Sequence, residues 1–182
     1  LRPVHEWYEA QVEQTPDAVA LDGGESSETE RWSYRQLNER ANQIARHLQM
    51  VGVESNQIIA VCVERSYQKI AVLLAVLKLG AAYLPMDSAY PAERLHLMLE
   101  ETQAAALITQ KHIQAQHGLQ HSNVVDVADQ SIAAHSTENL EQAVALDERA
   151  YLIFTSGSTG RPKGTELTHR GLASYVQQSR QQ

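Results

Sequence analysis

The sequence predicts an α/β fold with a mainly parallel sheet flanked by helices. Short apolar runs, such as residues 57–63 and 151–154, alternate along the chain with segments of helical periodicity. This alternation is typical of parallel sheets whose faces are covered by helices. Runs that are apolar at nearly every position indicate strands buried on both faces. With 182 residues and 43% hydrophobic content, the chain can form one well-packed core.

The predicted elements follow one another with short connections. Their boundaries come from apolar periodicity, from Pro and Gly, and from a capping box between Ser33 and Gln36. Helices are predicted at 4–14, from Ser33 to about Met50, at 67–79, from Pro91 onward, briefly at 111–116, and from about Arg170. Strands are predicted at 18–21, 30–33, 57–63, 82–84, 105–109, 123–127, 151–154 and 165–168. The polar stretch 129–149 is weakly periodic, and we expect a long surface connection with one helical turn.

The segment 155–164 is the strongest functional candidate. Every residue from Thr155 to Gly160 is Gly, Ser or Thr, and Lys163 follows shortly. Glycines let successive backbone N–H groups turn toward one anion, while hydroxyls and a lysine add donors and a positive charge. The segment is therefore predicted to be a phosphate-binding loop at the carboxyl end of a strand. Its candidate ligand-binding residues are Thr155, Ser156, Gly157, Ser158, Thr159, Gly160, Lys163 and Gly164.

Three other interpretations of this segment are less favoured. A flexible Gly/Ser linker seldom follows directly from an apolar strand or ends in Pro-Lys-Gly. A Walker loop needs Lys between Gly and Ser or Thr, but Lys163 lies between Pro162 and Gly164. A nucleophile elbow needs Gly two residues before its serine, a position that Ser156 occupies relative to Ser158.

The segment 155–164, with Thr168-His169-Arg170-Gly171 after it, resembles the signature loop of the adenylate-forming enzymes. The similarity is greatest to the adenylation domains of nonribosomal peptide synthetases. Residues 32–38 resemble that family's first core motif, and residues 77–87 resemble its second. The motifs occur in the family's order over nearly the whole chain. The resemblance implies the first subdomain of the large N-terminal domain of such an enzyme, with the chain 1–182 incomplete at its C-terminal end.

The resemblance also implies the chemistry. Such domains use ATP and Mg²⁺ to convert an amino acid into an aminoacyl-adenylate, which is then loaded onto the phosphopantetheine of a peptidyl carrier domain. The implied partners are thus an amino-acid substrate, a carrier domain and the neighbouring synthetase domains. Lys163 is the implied catalytic residue, neutralising the departing pyrophosphate, and Mg²⁺ is expected to bridge phosphate oxygens. We expect the chain alone to be inactive.

Two alternative functions stay open. The chain could be part of an acyl-CoA or aryl-acid ligase with the same fold, although the sequence of residues 77–87 favours the peptide-synthetase branch. It could also be a catalytically inactive module that binds nucleotide weakly or contacts partners. One departure from the family pattern is Thr165-Glu166, where apolar strand residues are usual, and this charge predicts a sheet edge or a weakened strand.

Composition narrows the remaining functional classes. The net charge of −7 disfavours nucleic-acid binding, although residues from Tyr151 onward carry four basic side chains and one acid. The longest apolar run is too short for a membrane span, and a single cysteine, Cys62, fits a reducing, cytoplasmic location. We expect Cys62 to be buried and inert, Asp87 to shape a turn and His169 to be structural. The spacing of His112, His117 and His121 does not predict a metal site.

Overall fold

The computed structural model describes residues 1–23, 31–155 and 163–179. Its helices are α1 (Val4–Gln14), α2 (Tyr34–Met50), α3 (Tyr67–Lys78), α4 (Ala92–Thr102), α5 (Lys111–His117) and α6 (His169–Ser179). Its strands are β1 (Val19–Asp22), β2 (Arg31–Ser33), β3 (Ile58–Cys62), β4 (Ala82–Pro85), β5 (Ala106–Thr109), β6 (Val124–Asp126), β7 (Arg149–Thr155) and β8 (Lys163–Thr168). One 3-10 turn covers Gln130–Ala134. Each predicted helix and strand is present within a few residues of its expected bounds.

Six strands form the main sheet in the order β6-β5-β3-β4-β7-β8. The first five run parallel, while β8 pairs antiparallel with β7 at one edge. The predicted α/β class and mainly parallel sheet are thus confirmed. The charge of Glu166 also lies where it was expected, on the edge strand, and its carboxylate is 3.0 Å from Arg149 Nη1. β1 and β2 form a separate antiparallel pair.

Helices cover both faces of the sheet because the strand side chains are apolar in both directions. Ile59 and Val61 of β3 pack with α2 and α3, whereas Ala60 and Cys62 pack with α4 and α5. Burial of Cys62 raises the pKa of its thiol to about 11, as expected for an inert cysteine. No helix within the described ranges is long and apolar enough to span a bilayer.

Helix α2 begins with the predicted capping box. The Ser33 hydroxyl accepts the Gln36 N–H at 3.2 Å, and the Gln36 side chain accepts the Ser33 N–H at 2.9 Å. Such reciprocal bonds satisfy two backbone donors that a helix start leaves without partners.

The connection between β6 and β7 is more firmly attached than its polar sequence predicted. Polar side chains of α2 bind its backbone: Asn42 donates to the Thr137 carbonyl at 2.7 Å, and Arg46 donates to the Glu138 carbonyl at 2.9 Å. Ile132 in the 3-10 turn is fully buried. The connection lies against α2 and leads the chain to the start of β7.

Candidate functional site

The predicted phosphate loop joins β7 to β8 at the carboxyl edge of the parallel sheet. β7 runs parallel to β4, with Tyr83 opposite Tyr151, and the two rings stack at 5.5 Å. The last pair of the β7–β8 ladder is Thr155 with Lys163. The two strand ends that flank the predicted loop therefore lie at the edge where ligands gather in sheets of this type.

Only part of the candidate ligand-binding set falls within the described residues. The backbones of Thr155, Lys163 and Gly164 are described, whereas residues 156–160 lie outside the described ranges. Gly164 has a packing role of its own, because a Cβ there would lie 3.2 Å from Leu152 Cδ1. Contacts of the predicted loop with phosphate thus stay a prediction, but the strand ends that carry it are in the expected place.

A cavity of about 320 Å³ opens beside these strand ends. Residues following β3 and β4 form much of its wall, and Ile153 and Phe154 of β7 contribute next to Thr155. The charged lining residues are Glu64, Arg65, Lys69, Asp87 and Arg94. The volume lies at the small end of the range for ligand pockets.

The two acids of this cavity are engaged within the protein. Asp87 Oδ1 accepts the Ala89 N–H at 2.9 Å, which confirms that Asp87 shapes the turn leading to Pro91. Glu64 Oε1 lies 3.2 Å from His112 Nε2.

The three cations of the cavity, by contrast, form no ion pair with any residue that the structure describes. Arg65 directly precedes the cap of α3 and Lys69 lies in its first turn, where the Ser66 hydroxyl caps the helix by accepting the Lys69 N–H at 3.3 Å. Arg94 extends from the first turn of α4, with its guanidinium carbon 4.0 Å from the centre of the Tyr90 ring. A cation over an aromatic face is stabilised without losing its charge.

The sequence patterns do not identify these three cations as site residues. A signal was available, since Glu64-Arg65-Ser66 directly follows a predicted buried strand whose carboxyl end meets the ligand-binding edge.

One of the four basic side chains counted from Tyr151 onward lies away from the predicted loop. Arg170 follows β8, which runs antiparallel, so it lies at the opposite edge of the sheet, where its Nε contacts Asp147 Oδ1 at 2.8 Å. His169 beside it is completely buried against the ring of His5. This burial supports the expected structural role of His169.

Two of the three histidines whose spacing does not predict a metal site have ring contacts with the protein. His121 Nε2 lies 2.8 Å from the Ala104 carbonyl oxygen, and His112 Nε2 lies 3.2 Å from Glu64 Oε1. Within 1–23, 31–155 and 163–179, no cluster of three or more potential ligand side chains could hold a metal ion.

Comparison with known proteins adds family information to this geometry. The family model described as "AMP-binding enzyme" matches residues 8–182. Tyrocidine synthase 1 of Brevibacillus parabrevis is 41% identical over 174 residues, which cover 94% of this chain and 16% of that protein. The chain therefore spans about a sixth of the length of this relative.

Two solved proteins share the fold. The nonribosomal peptide synthetase FmoA3, solved with alpha-methyl-L-serine-AMP bound, matches with a TM-score of 0.86 and 31% identity. The match covers 98% of this chain and 19% of the FmoA3 chain. FmoA3 has also been solved with AMPPNP bound. The N-terminal subdomain of Klebsiella oxytoca NpsA, in complex with 3-hydroxybenzoyl-AMSN, matches with a TM-score of 0.80 and 27% identity. This match covers 95% of this chain and 42% of the NpsA chain.

Proposed function

The chain belongs to the AMP-binding enzyme family, as the N-terminal portion of a nonribosomal peptide synthetase adenylation domain, and we propose that it takes part in ATP-dependent activation of an amino acid. The observation that carries the proposal is the position of the strand ends at Thr155 and Lys163. They pair at the carboxyl edge of the parallel sheet, and the sequence between them is rich in Gly, Ser and Thr.

The proposed reaction is a displacement at the α-phosphorus of ATP. A carboxylate oxygen of the amino acid forms a bond to phosphorus, and the bond to the bridging oxygen breaks. The electron pair leaves with pyrophosphate, and the products are an aminoacyl-adenylate and pyrophosphate. Residues 155–160 hold the β- and γ-phosphates through N–H and hydroxyl donors, and Lys163 offsets the charge that builds up on the leaving group.

The described residues provide no cluster that would hold Mg²⁺ by protein ligands alone. Mg²⁺ commonly binds through substrate phosphates and only one or two carboxylates. Mg²⁺ would therefore enter together with ATP, where it would offset negative charge on the phosphates.

In the longer protein, we propose that the aminoacyl group passes to the phosphopantetheine thiol of a peptidyl carrier domain. This step rests on the relatives, since both tyrocidine synthase 1 and FmoA3 are synthetases much longer than this chain. The carrier domain, the neighbouring domains and the whole activity are proposed for the protein that contains the sequence.

A second candidate function is activation of an aryl acid. The NpsA subdomain matches this chain over 95% of its length and was solved with a 3-hydroxybenzoyl compound. A pyrophosphate-exchange assay with amino acids, aryl acids and fatty acids separates the candidates. Exchange stimulated by an amino acid supports the first, while exchange stimulated only by an aryl or fatty acid contradicts it.

Replacement of Lys163 tests the proposed loop chemistry in the same assay. In the full-length synthetase, Lys163→Ala should lower the exchange rate about 100-fold or more, as loss of one transition-state donor typically does. Lys111→Ala is the matched control, because Lys111 is 88% exposed and its amino group is 3.8 Å from Asp126. An unchanged rate for Lys163→Ala would remove this lysine from the mechanism.

A further inference from the structure

The cavity at the carboxyl edge of the sheet is lined by more basic than acidic side chains. Its three cations, Arg65, Lys69 and Arg94, have no ion-pair partner among the described residues, while its two acids contact protein groups. The lining thus has three cations against two acids, a net charge of +1, and an anion that enters would reduce the remaining repulsion among the cations.

The surroundings of Arg94 make it the most specific of the three. Its Nε atom is buried and has no hydrogen-bond acceptor among the described residues. A buried donor without an acceptor is unfavourable. Its guanidinium carbon lies 4.0 Å from the centre of the Tyr90 ring. The planar guanidinium binds an oxygen-bearing anion well in a two-pronged geometry.

The position of Arg65 and Lys69 also favours an anion. Both lie at the N-terminal end of α3, where the aligned peptide dipoles present positive charge. Two basic side chains there do not favour the helix, but together with the dipole they attract a negative group. Phe154, one residue before Thr155, lines the same cavity, so this charge lies beside the start of the predicted phosphate loop.

We propose that this cavity is a pyrophosphate subsite, in which Arg65, Lys69 and Arg94 bind the terminal phosphates of ATP and the pyrophosphate released from them. The inference rests on the proposed function and extends it to residues outside the loop. Pyrophosphate gains negative charge when the α-phosphate bond breaks. Three cations beside the leaving group would stabilise it at that moment and retain it briefly afterwards.

Binding of inorganic pyrophosphate, measured by isothermal titration calorimetry, tests the subsite. The variant carries Arg65→Gln, Lys69→Gln and Arg94→Gln. The control carries Arg2→Gln, Arg31→Gln and Arg35→Gln, which removes the same charge from exposed positions away from the cavity. The dissociation constant should rise at least about tenfold for the cavity variant. It should change less than about twofold for the control at the same ionic strength.

Titrations with ATP and with AMP show whether the subsite binds the terminal phosphates of ATP or only free pyrophosphate. If the terminal phosphates of bound ATP occupy the subsite, ATP affinity falls together with pyrophosphate affinity, whereas AMP affinity is unchanged. If only free pyrophosphate is affected, the subsite serves the product after cleavage. Equal losses for the cavity and control variants, or no saturable pyrophosphate binding by the unmodified chain, would overturn the inference.

Additional measurements distinguish a wrong subsite from a variant that does not fold and from a wrong proposed function. Arg65→Gln alone removes an exposed side chain, so thermal unfolding should show a normal fold, and pyrophosphate binding should still weaken severalfold. Lys163→Ala is titrated in parallel. If Lys163→Ala weakens binding and the cavity variant does not, the phosphate loop stands and the subsite is wrong. Exchange activity of the full-length synthetase tests the proposed function independently of either result.

Discussion

The two ends of helix α3 present lysines in opposite surroundings. At its N-terminus, Lys69 lines an open cavity together with Arg65 and has no ion-pair partner among the described residues. At its C-terminus, Lys78 is 1% exposed and is bound by the Glu9 carboxylate and by Asn139 Oδ1. The first end lies at the carboxyl edge of the sheet and the second at the amino edge.

The helix dipole shows why the two ends differ. A cation at a helix C-terminus is favourable, so Lys78 supports the fold in addition to its ion pair. Cations at a helix N-terminus are unfavourable, so Lys69 and Arg65 lie where they weaken the helix. Charge that opposes local stability at a ligand-binding edge is better explained by ligand binding than by folding. The following predictions test this contrast, starting with the largest expected effect.

Loss of the buried lysine should be the most damaging change. Lys78→Met leaves the Glu9 carboxylate without its cation and removes a donor to Asn139, so the free energy of unfolding should fall by about 3 kcal/mol. Urea denaturation measures it. The double variant Lys78→Met with Glu9→Gln removes both charges and should recover part of the loss. A single-variant loss below about 1 kcal/mol would mean that Lys78 is not a stabilising residue.

Acidification should weaken the same amino edge through two buried histidines. His5 and His169 contact edge to face with ring centres 6.0 Å apart, and Lys78 lies near enough to oppose a charge on His5. Burial is the main reason that the pKa of His5 is lowered to about 3 and that of His169 to about 4. Below the ordinary histidine pKa near 6.5, the unfolded chain therefore binds protons that the folded chain does not.

The free energy of unfolding should consequently fall as the pH drops from about 6.5 toward 4. At pH 5.5 each histidine contributes a loss of about 1.4 kcal/mol relative to pH 7.5. His5→Phe with His169→Phe should flatten this part of the pH profile, measured by urea denaturation at several pH values. The control His112→Gln alters an exposed histidine and should retain the slope. An unchanged slope in the double variant would show that these two histidines are not buried and neutral.

The two ends of α3 also show which features could be predicted from the sequence. Local patterns predicted the cap at Ser33, the edge strand with Glu166 and the apolar helix α3, because each depends on residues close together in the chain. No local pattern predicted a role for Lys78. Its partners Glu9 and Asn139 lie 69 and 61 residues away and follow no local pattern.

The candidate site was predictable only in part for the same reason. The phosphate loop is contiguous, so its residue types were visible together, and the parallel sheet predicted the edge at which it starts. The cavity combines residues after β3, after β4 and within β7. Arg65 and Arg94 are brought together only by the order of the strands. The segment before β7 was expected to lie on the surface, but Asn42 and Arg46 bind its carbonyls through contacts more than ninety residues apart.

A smaller effect is expected at the turn between α3 and β4. Gly80 has φ +66°, a conformation that side chains disfavour, and a Cβ there would lie 3.0 Å from Glu148 Oε2. Gly80→Ala should therefore lower the free energy of unfolding by about 1–2 kcal/mol, measured by urea denaturation. Gly52→Ala is a control with φ +88° and no atom within 4 Å of the added Cβ, so it isolates the backbone cost. Equal losses would show that the contact with Glu148 adds nothing.

The smallest stability effect is expected at the N-terminus of α3, and it completes the contrast with Lys78. Arg65→Gln removes an exposed cation that has no ion-pair partner among the described residues. The free energy of unfolding should stay within about 0.5 kcal/mol of its original value, and any change should be an increase, because the helix dipole disfavours a cation there. Urea denaturation at low and high salt measures the size and the sign of the change, since screening by salt should remove an increase that comes from the helix dipole.

A loss above about 1 kcal/mol in Arg65→Gln would contradict the contrast, because it would mean that Arg65 supports the fold as Lys78 does. The informative result is a variant whose stability is unchanged and whose pyrophosphate binding is weaker. A side chain that contributes nothing to folding but strengthens anion binding is placed for the ligand. The same pair of measurements on Lys78→Met should give the reverse order, with a large loss of stability and little change in the pyrophosphate affinity of the molecules that remain folded.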